Sequence, residues 1–323
     1  MAVKTGIGKT GMLLAMAIAF AMCLLSFLLH PVDIEVTDYG ICLPSSQLWN
    51  ISPIVSWILN LIAICCIAIL LFLINKTYNF VRTTEPVLIA LFLIATCSSP
   101  WFTETLNDST ILCLVNVLCL GIIFGAYDKK NATQQIFLMG ALAGFGSMFQ
   151  YAFVTMFFLY FLWALFLKIL RLRETLAFIL GILTPYWIGL GLGLISLGDF
   201  RLPSPSHLLT ETANYTDFLF LLISIAFAAF IGFIAALANG MKLYAGNSRV
   251  NAMNLCVSTM GIVSVVCIFL DYENMTAYVV TLFVAMAVQM ANICALWNIQ
   301  DEWIVSTFPS LVFIALFIAG IVL

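Results

Sequence analysis

Residues 136–170 read IFLMGALAGFGSMFQYAFVTMFFLYFLWALFLKIL, an almost unbroken apolar run. Lys129 and Lys130 precede it, and Lys168, Arg171 and Arg173 close it. Lys and Arg near membrane ends collect on the cytoplasmic side of a bilayer. Two basic clusters on one side require an even number of crossings between them, so the run folds back as a hairpin. At about 1.5 Å per residue, each half only just spans a hydrocarbon core of roughly 30 Å. The reading is therefore two short helices over 136–170 that meet near Gly146 and Gln150.

The rest of the chain has the same character. Of its 323 residues 64% are hydrophobic and only 8% charged, with a mean hydropathy of +1.14. Long apolar runs with so few charges require lipid as their solvent. Within lipid the backbone must satisfy its own hydrogen bonds, and these runs are too long and uniform for barrel strands. The expected fold is all-α: a polytopic transmembrane helix bundle forming a single domain over 1–323, with no soluble domain. Lys4, Lys9 and the apolar stretch Gly11 to Leu29 resemble a signal peptide in outline. The stretch is too long and lacks a small-residue cleavage site, so it reads as a retained first helix. Phe20-Ala21-Met22-Cys23 fails as a lipobox because Met22 stands where a small residue belongs. No basic tail or aromatic-basic patch points to nucleic acid.

Eleven spans are expected, at 11–29, 51–74, 84–101, 110–127, 136–149, 151–169, 175–197, 218–238, 253–270, 277–297 and 304–323. Alternating the connections puts Lys4, Lys9, Lys76, Arg82, Lys129, Lys130, Lys168, Arg171, Arg173, Lys242 and Arg249 on one side. Of the 12 basic residues only Arg201 falls on the other. The segregation orients the chain with a cytoplasmic N-terminus and an outer C-terminus.

No Asp, Glu, Lys, Arg or His lies well inside a span, which removes the usual marker of proton- or ion-coupled transport. Asn60, Asn116, Gln289 and Asn292 are intramembrane polar groups that read as interhelical hydrogen-bond partners before they read as a path. Gly140-x-x-x-Gly144 and Gly189-x-x-x-Gly193 have the spacing that lets helices approach closely, and are expected to pack the hairpin against the seventh helix. Pro185 is expected to bend that helix near its middle. Of 10 cysteines all but Cys42 lie in or at the ends of apolar runs, where thiols pack as small hydrophobes. No CxxC pair or Cys/His cluster suggests a metal or a cofactor. Cys42 reads as a free loop thiol, with a bridge to Cys97 as the alternative.

Candidate chemistry sits in the outer loops. Asp33, Glu35 and Asp38 suit a general base or an oxygen-ligand site for a divalent cation. Arg201, with His30 and His207, suits a lipid-linked phosphate, because a guanidinium meets phosphate through two parallel hydrogen bonds. Gln150 and Tyr151 offer polar groups at the hairpin apex. Against all of these stands topology alone, which by itself fills outer loops with acids.

One order of features carries a resemblance. A basic turn (Asn75-Lys76-Thr77) precedes a short helix ending Ser98-Ser99-Pro100-Trp101-Phe102. Asp128-Lys129-Lys130 closes the next helix, the aromatic hairpin around Phe149-Gln150-Tyr151 follows, and Arg171-Leu172-Arg173-Glu174 and Gly181-Ile182-Leu183-Thr184-Pro185-Tyr186 end the unit. Over 75–195 this resembles a family of bacterial multi-pass inner-membrane proteins of unknown function. More remotely it is similar to O-antigen-polymerase-like and GT-C glycosyltransferase-like membrane proteins. Several polymerase-like relatives carry a histidine near the hairpin turn, where this chain has Gln150-Tyr151. The resemblance implies a bacterial inner membrane and a role in the cell envelope. Three functions are expected in turn: a noncatalytic component of envelope assembly, an enzyme acting on a polyprenyl-linked glycan at the outer face, and a carrier for an uncharged or lipidic solute. The partners implied are the lipid bilayer, a polyprenyl-linked glycan and other envelope proteins.

Overall fold

The computed structural model describes residues 9–29, 40–46, 49, 51–81, 85–129, 131–201, 215–243, 248–271, 274–297 and 302–322. These residues form eleven α-helices: α1 Lys9–Leu29, α2 Pro53–Tyr78, α3 Glu85–Cys97, α4 Asp108–Phe124, α5 Thr133–Phe149, α6 Ala152–Phe166, α7 Leu172–Gly191, α8 Tyr215–Leu243, α9 Ser248–Leu270, α10 Met275–Trp297 and α11 Glu302–Val322. Each expected span coincides with one of them. Six (α1, α2, α7, α8, α9 and α10) contain segments long and apolar enough to cross a membrane, while α3, α4, α6 and α11 are shorter apolar helices. The chain is a multi-pass membrane protein.

Local sequence sets the helix ends. Pro53 opens α2, where its missing N–H costs nothing. Asn107 caps α4, its Oδ1 accepting from the Thr110 amide at 2.8 Å. Asn79 ends α2 in the left-handed region with φ 47°, a conformation asparagine tolerates better than most residues. Lys168 (φ 58°) turns the chain after α6.

Side-chain contacts fix the relative directions. Ser147 meets Tyr186, and further back along both helices Gly140 lies on Phe178. Helices α5 and α7 are therefore parallel, and α6 between them returns. Asn254 meets Asn292 and Ser258 meets Gln289, so α9 and α10 are antiparallel. Trp163 bonds Cys256 while Thr155 lies at Cys267, so α6 and α9 are antiparallel too. At one end of the bundle the Arg249 guanidinium lies 5.7 Å from the Tyr78 ring and 5.8 Å from that of Tyr127, drawing the ends of α2 and α4 to the start of α9. The N-termini of α5 and α7, with Lys129, Arg171 and Arg173, share one end of their pair. The sequence-derived hairpin is thus present, its arms joined through Gln150 and Tyr151.

The organising element is α10, not the hairpin. Its described face is buried almost all round, against α3, α4, α8, α9 and α11. The α5–α7 pair is the tightest contact in the bundle. A Cβ on Gly140 would collide with the Phe178 carbonyl, one on Gly144 with the Ile182 carbonyl, and one on Gly181 with the Phe137 carbonyl. The first glycine pair therefore packs on α7 as expected. The second does so only in part: Gly189 faces Met148 of α5 as well as Ile195, but Gly193 lies beyond α7 at φ +70° with open space around it. The reciprocal glycine is Gly181, one turn before Pro185. Helix α7 runs on through Pro185, with the Thr184 hydroxyl on the Leu180 carbonyl at 2.6 Å.

Candidate functional site at the hairpin apex

Three segments far apart in sequence meet where α5 gives way to α6. Helix α5 stops because Gln150 turns extended (φ −152°, ψ 132°). Residues 40–43 lie across the apex: the Ile41 amide donates to the Ser147 carbonyl at 3.2 Å, and the Leu43 amide to the Met148 carbonyl at 2.9 Å. The crossing needs glycine at position 40, since any Cβ there would strike the backbone of Met148 and Phe149. The third segment follows α7. A 3-10 turn over Leu197–Asp199 is held by a reciprocal cap, the Ser196 amide donating to Asp199 Oδ2 at 2.7 Å. From there the Arg201 amide donates to the Ile41 carbonyl at 2.9 Å. The Tyr151 hydroxyl donates to the Arg201 carbonyl at 2.5 Å.

Electrostatics follow from this layout. The Ser196 amide and hydroxyl, and more weakly Arg201, hold the exposed Asp199 carboxyl below the usual carboxylate range. Partial burial, with the Asp199 charge second, pushes the Cys42 thiol up.

Gln150, Tyr151 and Arg201, singled out from sequence on separate grounds, come together here. Gln150 is only 3% exposed, and its Oε1 has no hydrogen-bond partner. His30, Asp33, Glu35, Asp38 and His207 lie outside the described residues. Among the described residues no group of three or more His, Cys, Asp or Glu side chains is placed to hold a metal ion.

Sequence reasoning missed a second gathering at the same end. Glu104 and Asp108, in and just after the connection from α3 to α4, are buried. Ser26 of α1 donates to Glu104 Oε1 at 3.2 Å and accepts from Thr103 at 3.0 Å. Ser46 donates to Asp108 Oδ1 at 2.7 Å. The available signal was the capping run Asn107-Asp108-Ser109-Thr110, which marks a helix start tied down by its own side chains.

The intramembrane amides behave as helix partners. Asn60 donates to the Phe102 carbonyl at 2.7 Å. Asn116 donates to Thr281 at 3.2 Å and accepts from Tyr160 at 2.5 Å. Gln289 accepts from Asn239 at 2.8 Å and donates to Ser258 at 3.0 Å. Asn292 donates to Asn254 at 3.0 Å.

No protein-family model, curated protein or solved structure matches this chain.

At the apex itself, the arrangement supplies a buried amide oxygen, hydroxyls and charge of both signs. Groups of these kinds have the chemistry to hydrogen-bond a polar partner.

Proposed function

We propose that the chain is a bacterial inner-membrane protein crossing eleven times, N-terminus cytoplasmic and C-terminus outside, that serves as a noncatalytic component of cell-envelope assembly. One observation carries this reading. The intramembrane amides Asn116, Gln289 and Asn292 bond to neighbouring helices, and Gln150, Tyr151 and Arg201 gather at the apex, at the opposite end of the α5–α7 pair from Lys129 and Arg171. A protein built this way works through the surface that its loops present. The interior gives the carrier reading no support, since the α10 amides are bonded to helices α8 and α9.

Reporter fusions at Gly146 and after Leu323 test the topology, and both are expected to read as outside. A cytoplasmic signal at either overturns the eleven-span count. Mass spectrometry of the protein purified from its native membrane, with bound lipids and proteins, tests the role. Envelope proteins recovered in fixed proportion support it. A polyprenyl-linked glycan recovered alone favours the second reading, an outer-face glycan enzyme. That reading draws on one specific contact, the Arg201–Ile41 bond that brings the Arg201 segment against the first outer loop. Loss of the cellular phenotype in Arg201→Ala, with expression intact, supports it.

A further inference from the structure

Helix α1 is held to the bundle chiefly by α3. Its buried face is Ala15, Ala19, Met22, Cys23 and Ser26. Ala15, Ala19 and Cys23 are four apart, the small-residue spacing that lets two helix backbones come close in lipid. At the end of this stripe the Cys23 and Cys97 sulfurs lie 3.2 Å apart, a thiol–thiol hydrogen bond between residues 74 apart in sequence. Both thiols are buried and free. The bridge considered from sequence, Cys42 to Cys97, is not the pairing that the structure favours. Cys42 lies across the hairpin apex, and the sulfur facing Cys97 belongs to α1.

A buried cysteine is ordinarily a small hydrophobe, and a single one at this interface would carry no more than that. Two observations go further. The sulfurs meet each other rather than methyl groups, across a contact whose close approach is what a disulfide needs. The pair also sits about one helical turn from the buried polar group formed by Ser26, Thr103 and Glu104, at the end of the bundle where α3 connects to α4.

We propose that Cys23 and Cys97 are a redox-modifiable pair that closes into a disulfide, covalently fastening α1 to α3. In the closing step the two S–H bonds break and one S–S bond forms. Two electrons and both protons pass to a disulfide-bearing oxidant, which leaves as two thiols; a reducing dithiol reverses the step. The proposed topology enters only in the direction of supply, since it places the pair near the oxidising face. The chemistry in purified protein does not depend on it.

The test uses the full-length protein in lipid nanodiscs, reduced and then treated with the thiol oxidant diamide. Maleimide mass tags then count the free thiols under denaturing conditions. The expected result is two fewer tags than the 10 of the reduced protein, with peptide mapping joining Cys23 to Cys97. The thermal unfolding midpoint should rise and return on adding dithiothreitol. Cys23→Ser and Cys97→Ser should each abolish the loss of tags, and Cys65→Ser should leave it intact. An unchanged tag count, or a link mapped to Cys42 or Cys65, overturns the proposal. The mapping is made on the unaltered protein, so it decides the matter even where a variant folds poorly.

Discussion

The hydroxyls of Ser147 and Tyr186 lie 2.7 Å apart, fastening the outgoing arm of the hairpin to α7 less than a turn from the apex. Below them the two helices are in backbone contact through Gly140, Gly144 and Gly181. Ser147 also shares its carbonyl with Ile41 of the first loop. The apex, residues 40–43 and α7 are therefore tied together by direct contacts.

The first prediction follows from the glycines. Gly144→Leu forces side-chain atoms into the Ile182 backbone, which cannot yield as a flexible side chain would. Overpacking of this kind costs about 1–3 kcal/mol or more. The unfolding midpoint in detergent should drop clearly. Gly191→Ala, which meets open space on the same helix pair, should leave it nearly unchanged.

At the apex, backbone and side chain can be separated. Tyr151→Phe removes the donor to the Arg201 carbonyl and should cost about 0.5–1.5 kcal/mol of stability. Arg201→Ala keeps both main-chain bonds and should cost less, while removing any phosphate grip. If thermal unfolding shows Arg201→Ala to be the more damaging of the two, the guanidinium rather than the main chain holds the junction.

Asn116→Leu replaces the residue joining α4 to α6 and α10 with an apolar side chain of similar size. Tyr160 and Thr281 are then left to find other partners. Hydrogen bonds between helices in lipid average only about 0.6 kcal/mol and reach roughly 1.7 kcal/mol. The expected loss is therefore modest, measurable by unfolding in mixed micelles, and far below that of Gly144→Leu. A larger effect would mean that the amide holds more than these two bonds.

The 3-10 turn carries a pH dependence. Asp199 titrates lower in the folded protein than its ordinary value of 3.8. A depressed pKa stabilises above the unfolded value, and the gain is lost as pH falls through the folded one. Amide exchange of residues 196–201, corrected for intrinsic rates, should stay protected from neutral pH to about pH 4 and rise below it. Asp199→Asn should show weaker protection with no such step. A wild-type turn that opens instead near neutral pH would assign the dependence to another group.

Much of this architecture could be read from charge and apolarity. The apolar runs marked where helices form, so each helix lies close to where it was expected along the chain, the short hairpin arms included. What could not be read was which helix lies at the centre. In a soluble protein the most apolar helix is the buried one, but lipid is as apolar as a core, so that rule does not carry over. Here α2 is the more apolar helix and is largely exposed, whereas α10, with Thr281, Gln289 and Asn292, is enclosed. The apex was half legible. Gln150 and Tyr151 stood out as polar residues in an apolar run. Gly40 gave no sign that it would have to cross them, because its partner backbone is more than a hundred residues away.

The central place of α10 has a consequence for biogenesis. The chain emerges from the ribosome N-terminus first, so nine of the described α-helices are made before the one that several of them pack around. Until then Asn116 and Ser109 of α4 lack their α10 partners, Thr281 and the Val280 amide, and the groove between α3, α4, α8 and α9 has no occupant. Completion therefore resembles the insertion of a keystone. A chain that ends before α10 lacks the partner that several earlier helices share.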